Sequence, residues 1–389
     1  MVTAPRVMMV AVEPSGDALG AALAQGLRAR LGQDLRLVGV GGPQLAAAGL
    51  ESLFDPAALA VVGAFNALGA YPEVLKRARQ LGDAARVETP DVAILIDAWG
   101  FNLRVARSLR RASPGLPLIK YVAPQVWATR PGRARTLASV VDHLLTLHSF
   151  DAPFFTREGL PTTFVGNPAL NRDFSVTDPI GLRARLGLGA NDPLLLLLPG
   201  SRAGEVSRLM PVFEDTVARL LAEQPRLAVA LAVAEGVAGQ VKSALKGWRR
   251  PPALLEGEGD RLSAMQAATV ALACSGTVTT ELALASCPMV VTYRLDPLTH
   301  LAAKALIRTP YITLFNVAAR RFIAPERVQA ESNGKRLAAD LGRLLDDDGL
   351  RRDQIAAQSA ALDIMRGGVS DPAAAAAEAV VALMRKATV

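Results

Sequence analysis

The sequence is poor in most of the side chains that advertise chemistry. It contains two cysteines and three histidines in 389 residues. Cys274 and Cys287 lie in or beside apolar segments, without Cys-x-x-Cys spacing or a histidine neighbour. That pattern points to buried free thiols and against a disulfide scaffold or a metal site. His143, His148 and His300 are too scattered for a ligand cluster, so structural roles are expected, and no metal or other cofactor is. No Ser-His-Asp order and no Gly-x-Ser-x-Gly elbow supports a hydrolase. Aromatic residues make up only 5% of the chain. No run reaches the roughly 18 uncharged apolar residues of a spanning helix. The chain passes from Thr3-Ala-Pro-Arg6 straight into the strand-like Val7–Val12, without the regions of a signal peptide, so a cytoplasmic protein is expected.

What the chain does have is apolar bulk and arginine. Hydrophobic residues account for 51% and the formal net charge is +7. That excess suits nucleic acid, an anionic membrane surface or an acidic ligand. The clusters Arg104/Arg107/Arg110/Arg111 and Arg130/Arg133/Arg135 lack the interleaved aromatics of a single-strand binder, and each also reads as a solvated helix face. Membrane-surface docking therefore ranks ahead of nucleic acid, and no nucleic-acid partner is expected.

The length calls for two domains. Strand-like and helical stretches alternate throughout, as in a doubly wound α/β protein. Strands are expected at Val7–Val12, Leu35–Val40, Val92–Ile96, Leu118–Val122, Leu144–Leu147 and Thr163–Val165. A second set follows at Leu194–Leu198, Leu227–Val233, Ala253–Leu255, Val270–Ala273 and Met289–Tyr293. These are continuous apolar runs, as in strands covered on both faces. Helical patterns such as Asp17–Arg30, Val74–Arg86 and Leu103–Arg111 fill the gaps. The expected division is an N-terminal domain over residues 1–180, a second over 181–370, and a closing helix within 371–389. Asp371 suits that helix's N-cap and Pro372 its first position.

Two stretches carry the clearest chemical signal. Leu194-Leu-Leu-Leu-Leu-Pro-Gly-Ser-Arg-Ala-Gly-Glu205 and Ala273-Cys-Ser-Gly-Thr-Val-Thr-Thr-Glu281 each run from an apolar strand through a small-residue turn into a helix. Free N–H groups and the helix dipole then converge on one spot, which suits phosphate. Gly200, Ser201 and Arg202 from the first loop, with Ser275, Gly276 and Thr277 from the second, suggest a diphosphate ligand, most simply a nucleotide-sugar. Glu281 either accepts the ribose hydroxyls or complements its helix dipole. Ser201-Arg202 alone also reads as a helix cap with a surface cation. Two Rossmann-like domains facing a cleft, with phosphate loops in the second, describe the GT-B plan. No Asp-x-Asp motif stands between the two loops, so Arg202 and the helix N-termini would do a metal ion's leaving-group work.

In the N-terminal half, Val12-Glu-Pro-Ser-Gly-Asp17 ends the first strand at the sheet edge where ligands enter. Glu13 and Asp17 are either polar ligands for a sugar or capping residues. Asp97 closes the run Val92–Ile96, where a general base for a sugar hydroxyl belongs, or else caps the following turn. The apolar stretch Leu59–Tyr71, broken only by Asn66 and carrying Phe65, is either a buried core segment or a lipid-contacting flap.

Over nearly its whole length the chain resembles lipid A disaccharide synthases. The matching pieces are Glu13-Pro-Ser-Gly-Asp17, Gly39-Val-Gly-Gly-Pro43, Ile96-Asp-Ala98 with Phe101-Asn102, and Tyr121-Val with Pro124-Gln-Val-Trp127 and Arg130. They continue with Leu198-Pro-Gly-Ser-Arg202, Glu205-Val206, Ser275-Gly-Thr, Glu281, Pro288-Met-Val-Val-x-Tyr293, Asn316, and Pro325-Glu326 with Gln329. The resemblance implies a GT-B fold and a metal-independent, inverting transfer. The donor would be a UDP-linked acylated sugar and the acceptor a lipid, the 6-hydroxyl of diacylated glucosamine 1-phosphate. Asp97 would correspond to the base, with Arg202 and Asn316 as further catalytic groups. Glu13, Ser15, Asp17, Asn102, Trp127, Arg130 and Gln329 would contact substrate, and Gly200, Ser201, Arg202, Ser275, Gly276, Thr277 and Glu281 would hold UDP. A peripheral site on the inner face of the inner membrane follows from such substrates.

The departures fall mainly in the N-terminal half. Trp99-Gly100 stands where the family usually has Pro-Asp, Thr129 where it has a second tryptophan, and Asn167 where it has histidine. Asn66 replaces a usual glutamate, Phe315 a proline, and Val317-Ala-Ala-Arg-Arg321 a glycine-containing turn. Drift within the family accounts for these changes; so would a related transferase with another lipid acceptor, or a non-catalytic protein that binds a nucleotide-sugar or lipid.

Overall fold

The computed structural model describes residues 4–57, 71–296, 300 and 307–387, so of Leu59–Tyr71 only Tyr71 is described, and Phe65 and Asn66 lie outside. The chain forms two compact units, one of residues 1–168 with 366–389, the other of 169–365.

The first unit is built on a six-stranded parallel sheet. Its strands are β1 (Arg6–Ala11), β2 (Arg36–Val40), β3 (Val92–Ile96), β4 (Leu118–Tyr121), β5 (His143–Thr146) and β6 (Thr162–Phe164), in the order β2-β1-β3-β4-β5-β6. Alternate residues of these apolar runs face opposite layers. Met8, Val10, Leu95 and Leu118 pack in one layer with Leu81 of the helix Tyr71–Glu88 and Val105 and Leu109 of the helix Trp99–Ala112. Their neighbours Val7, Met9, Ile94 and Ile96 pack in the other with Leu23 and Leu27, from the helix Pro14–Leu31.

The chain's last described helix, Pro372–Ala387, joins that second layer through Ala376, Ala377, Val380 and Val381. Each fully buried valine contributes about 1.5–3 kcal/mol. Gly26 permits the approach, since a Cβ there would lie 3.0 Å from that of Ala377. The Asp371 side chain accepts from the Ala374 N–H at 2.9 Å and caps the helix.

The second unit repeats the plan with β7 (Leu194–Leu198), β8 (Ala228–Val233), β9 (Ala253–Glu256), β10 (Val270–Cys274), β11 (Met289–Tyr293) and β12 (Glu326–Val328). Its order is β12-β11-β10-β7-β8-β9, and every recorded pairing is parallel. Cys274 and Cys287 are buried, and burial pushes both thiols up to about 12. Among the described residues no helix is long and apolar enough to cross a membrane.

Three differences from the sequence reading have physical causes. The first boundary lies at 168/169 rather than 180/181, because Leu170 is already buried in the second unit's core. The return lies at 365/366 rather than 370/371, since Met365 belongs to that core too. β12 escaped the reading because its three residues, Glu-Arg-Val, form an edge strand without an apolar run.

Asp17 shows how the first unit ties its short elements down. From the helix Pro14–Leu31 its carboxylate accepts the backbone N–H groups of Gly42 at 2.8 Å, Gln44 at 2.9 Å and Leu45 at 3.1 Å. These are the first-turn donors of the helix Pro43–Ala47, which has no cap of its own. Asp17→Ala should orphan them and lower unfolding stability by about 3 kcal/mol, read as a fall in denaturation midpoint. A variant as stable as wild type would remove this capping role.

Candidate active site

Both sheets reverse their winding at one point, between β1 and β3 in the first and between β7 and β10 in the second. The connections on either side of such a point leave towards opposite faces, opening a crevice at the carboxyl ends of the strands. The sequence-derived site residues fall mostly on these two crevices.

In the first, Glu13 and Ser15 follow β1 and Asp97 follows β3. Ser15 Oγ donates to Asp97 Oδ2 at 3.0 Å. The Glu13 carboxyl is raised by partial burial and by the charge of Asp97, and lowered by Lys120. The backbone here is unusual. Asp97 and Ala98 have φ of 51° and 41°, and Val122, after β4, has 75°. Such values are uncommon for non-glycine residues and more so for a β-branched one.

Asn102 holds the Asp97 turn in place. Its Nδ2 donates to the carbonyls of Ile96 at 2.8 Å and Asp97 at 2.9 Å. The amide is buried and its Oδ1 has no hydrogen-bond partner. Asp17, by contrast, spends its carboxylate on the backbone amides of Gly42, Gln44 and Leu45. Trp127 packs edge-on against Phe150, with centroids 5.6 Å apart, and Phe150 stacks on His148. Burial lowers His148 to about 4 and raises Asp151 to about 7. Arg130 is exposed, with φ of 51°. Its charge adds to burial in lowering the Arg133 guanidinium, which lies over the Trp99 ring.

The second crevice is a cavity of about 820 Å3. Gly200, Ser201 and Arg202, between β7 and the helix Ala203–Glu223, line one side. Ser275, Gly276, Thr277 and Glu281, from the end of β10 and the helix Thr277–Leu284, line the other. Gly200 is required by both conformation and space, since φ is 106° and a Cβ would lie 2.6 Å from Glu205 Oε2. The buried Glu205 accepts from the amides of Ser201 and Arg202 at 3.3 Å and from Arg202 Nη1 at 2.7 Å. That bond and the Glu205 charge raise the Arg202 guanidinium. The Arg202 side chain nevertheless stays 78% exposed, open to a ligand's charge. Across the cavity, Arg261 grips Glu281 with two nitrogens, at 2.5 and 3.3 Å.

Asn316 and Gln329 do not line this cavity. Asn316 is fully buried, with Nδ2 on the Ala324 carbonyl and Glu326 Oε1, and Oδ1 on the amides of Ile323 and Ala324. Glu326 in turn accepts from the amides of Ile312 and Thr313, while the Ile312 carbonyl accepts from Ser275 Oγ. Asn316 thus reaches the cavity only through this relay. Gln329 Oε1 accepts from the Leu295 N–H at 2.9 Å.

Lys120 and Arg261 were not marked from sequence. Lys120 sits in an apolar strand and Arg261 in an ordinary helical pattern, and only the fold brings them to carboxylates. A lysine inside a buried strand was the available signal for the first.

A family profile described as lipid-A-disaccharide synthetase matches residues 7–380. The lipid-A-disaccharide synthase of Rhodospirillum centenum is 41% identical over 380 residues, covering 98% of this chain and 95% of that one. That of Pseudomonas aeruginosa (strain LESB58) is 41% identical over 382 residues, covering 98% of each. Among solved structures, UDP-GlcNAc 2-epimerase from Neisseria meningitidis bound to UDP-GlcNAc is similar in fold. Its TM-score is 0.58 at 11% identity, covering 98% of this chain and 99% of that one. This is the GT-B fold, and identity near two residues in five across almost the entire length adds what the fold alone does not: the chain belongs to the lipid-A-disaccharide synthetase family and is a glycosyltransferase.

Proposed function

We propose that this chain transfers a diacylglucosamine unit from its UDP-linked donor to the 6-hydroxyl of diacylglucosamine 1-phosphate, inverting the anomeric carbon and releasing UDP. The observation that carries the reading is the gathering of Gly200–Arg202 and Ser275–Thr277 on one cavity at a switch point. Its volume, about 820 Å3, suits a nucleotide-sized ligand. The Neisseria meningitidis neighbour, bound to UDP-GlcNAc, supports a uridine nucleotide in a fold of this kind. Glu281, steadied by Arg261, keeps lone pairs for the ribose hydroxyls. Arg202 and the helix N-termini meet the diphosphate. Asp97 takes the proton of the 6-hydroxyl as that oxygen attacks the anomeric carbon. The bond from that carbon to the β-phosphate oxygen breaks, and its electron pair leaves with UDP.

The lipid substrates put the enzyme on an anionic membrane surface at the inner face of the inner membrane. A groove of about 610 Å3 supports this, lined by Arg79, Arg86, Arg104, Arg107 and Arg111 with Asp83 as its acidic residue. Arg104 lies over the Tyr71 ring at 4.9 Å, beside the apolar Leu59–Tyr71 stretch in sequence.

The overall reading is tested by mass spectrometry of the products from purified protein, UDP-diacylglucosamine and the monosaccharide phosphate; a β-1,6 disaccharide and UDP are expected, and their absence overturns it. Arg202→Ala should raise the barrier by about 2–4 kcal/mol, seen mainly in kcat. A change confined to the donor KM would reduce Arg202 to a ground-state anchor. Asp97→Asn should slow transfer by roughly 10²–10⁴-fold while UDP still binds; retention of more than about a tenth of the rate would move the base to Glu13. Wild-type protein should sediment with anionic vesicles at low salt and leave them at high salt. Replacing the exposed Arg79 and Arg107 with alanine should cost about 2 kcal/mol of that binding, at about 1 kcal/mol per arginine. Unchanged sedimentation would take the groove out of the membrane contact.

A further inference from the structure

Lys120 lies on β4, on the face it shares with Leu118 and with Leu95 of β3. Packing there asks for an apolar side chain, yet the residue is a buried lysine. A buried ammonium is tolerated when its protons are all bonded. Here three acceptors meet three protons: the carbonyls of Asp97 at 2.6 Å, Tyr121 at 2.8 Å and Leu95 at 3.3 Å.

Two of these carbonyls belong to the peptides that lead into left-handed residues, Asp97 into Ala98 and Tyr121 into Val122. One ammonium therefore clamps both strained turns at the ends of adjacent strands, where Asn102 holds only the first. We propose that Lys120 is a positioning residue for glycosyl transfer, fixing the turn that presents Asp97 and supplying a positive charge beneath the Asp97 and Glu13 carboxylates. The proposal rests on the reading of Asp97 as the base.

The charged groups that face Lys120 are Asp97 and Glu13, whose charges support the ammonium against the burial that lowers it to about 7. Its cross-strand neighbour on β5 is Leu144, and the nearby helix Trp99–Ala112 brings Asn102, both uncharged. Below that pH the ammonium has three donors and its charge. Above it, the amine keeps two donors, one carbonyl loses its partner, and the carboxylates lose their countercharge. Activity should therefore fall on the alkaline side.

The test follows kcat and both KM values from about pH 5 to about pH 10 for wild type, Lys120→Met and Lys120→Arg. It is joined by hydrogen–deuterium exchange of the 95–102 segment in wild type, corrected for intrinsic rates. Wild type should lose kcat above about pH 7, with exchange of that segment rising over the same range. Lys120→Met should cut kcat by about tenfold or more at neutral pH, leave the donor KM within about twofold, and abolish the alkaline fall. Lys120→Arg, whose guanidinium stays charged, should lack the alkaline fall too. A folded Lys120→Met with wild-type kcat and an unchanged pH profile overturns the proposal. If that variant does not fold, wild-type exchange indifferent to pH in the 95–102 segment overturns it instead. Asp97→Asn is the control: wild-type activity in it would sink the base assignment, while the exchange result would still report whether Lys120 holds the turn.

Discussion

In a parallel sheet every strand ends at the same edge, and where successive connections depart to opposite faces nothing crosses the strand ends between them. In each unit that gap lies beside the first strand of its sheet, between β1 and β3 and between β7 and β10. The residues just beyond those strands must bridge from buried extended chain to a helix within two to four positions. Small residues, carboxylates and unpaired amides collect there for that reason. The two crevices then differ in what fills them. One holds carboxylates over a buried ammonium, while the other adds glycine, hydroxyls and an exposed arginine to carboxylates already paired with arginines.

Most polar residues around the crevices bind protein. Asp17 closes a neighbouring helix, Asn102 and Lys120 hold the Asp97 turn, Glu205 organises the Arg202 loop, and the Asn316–Glu326 pair steadies the Ser275 loop. A side chain whose donors and acceptors are spent on backbone has little left for a ligand. Asp97, Glu13, Arg202, Thr277 and Glu281 keep exposed or unsaturated groups, and under the proposed function these are the ones that face substrate.

The central strands were readable because they are runs of residues buried on both faces, and β3, β7 and β11 occupy the expected ranges residue for residue. β12 was not, since an edge strand needs no apolar run. The phosphate-type loops were readable because their glycines answer a local backbone requirement, as Gly200 does beside Glu205. Orientation was another matter. Asp17 and Asp97 each follow a strand with similar local signals, yet one carboxylate turns to amides and the other accepts from a serine hydroxyl. Lys120 stands out as a lysine in a buried strand, but its role was not readable for a related reason, because it lies in three carbonyls supplied by two strands.

The second unit is a continuous piece of chain, whereas the first is interrupted by it and regains its last helix only after residue 365. Until Pro372–Ala387 has been synthesised, Leu23, Leu27 and their neighbours lack the cover that Ala376, Ala377, Val380 and Val381 provide. Closing a loop as long as a whole domain adds little entropy beyond that of a shorter loop, so the delay is a matter of timing more than of stability. On a ribosome the half that begins first is thus the half whose core closes last, and its uncovered layer is the surface a chaperone would meet in the meantime.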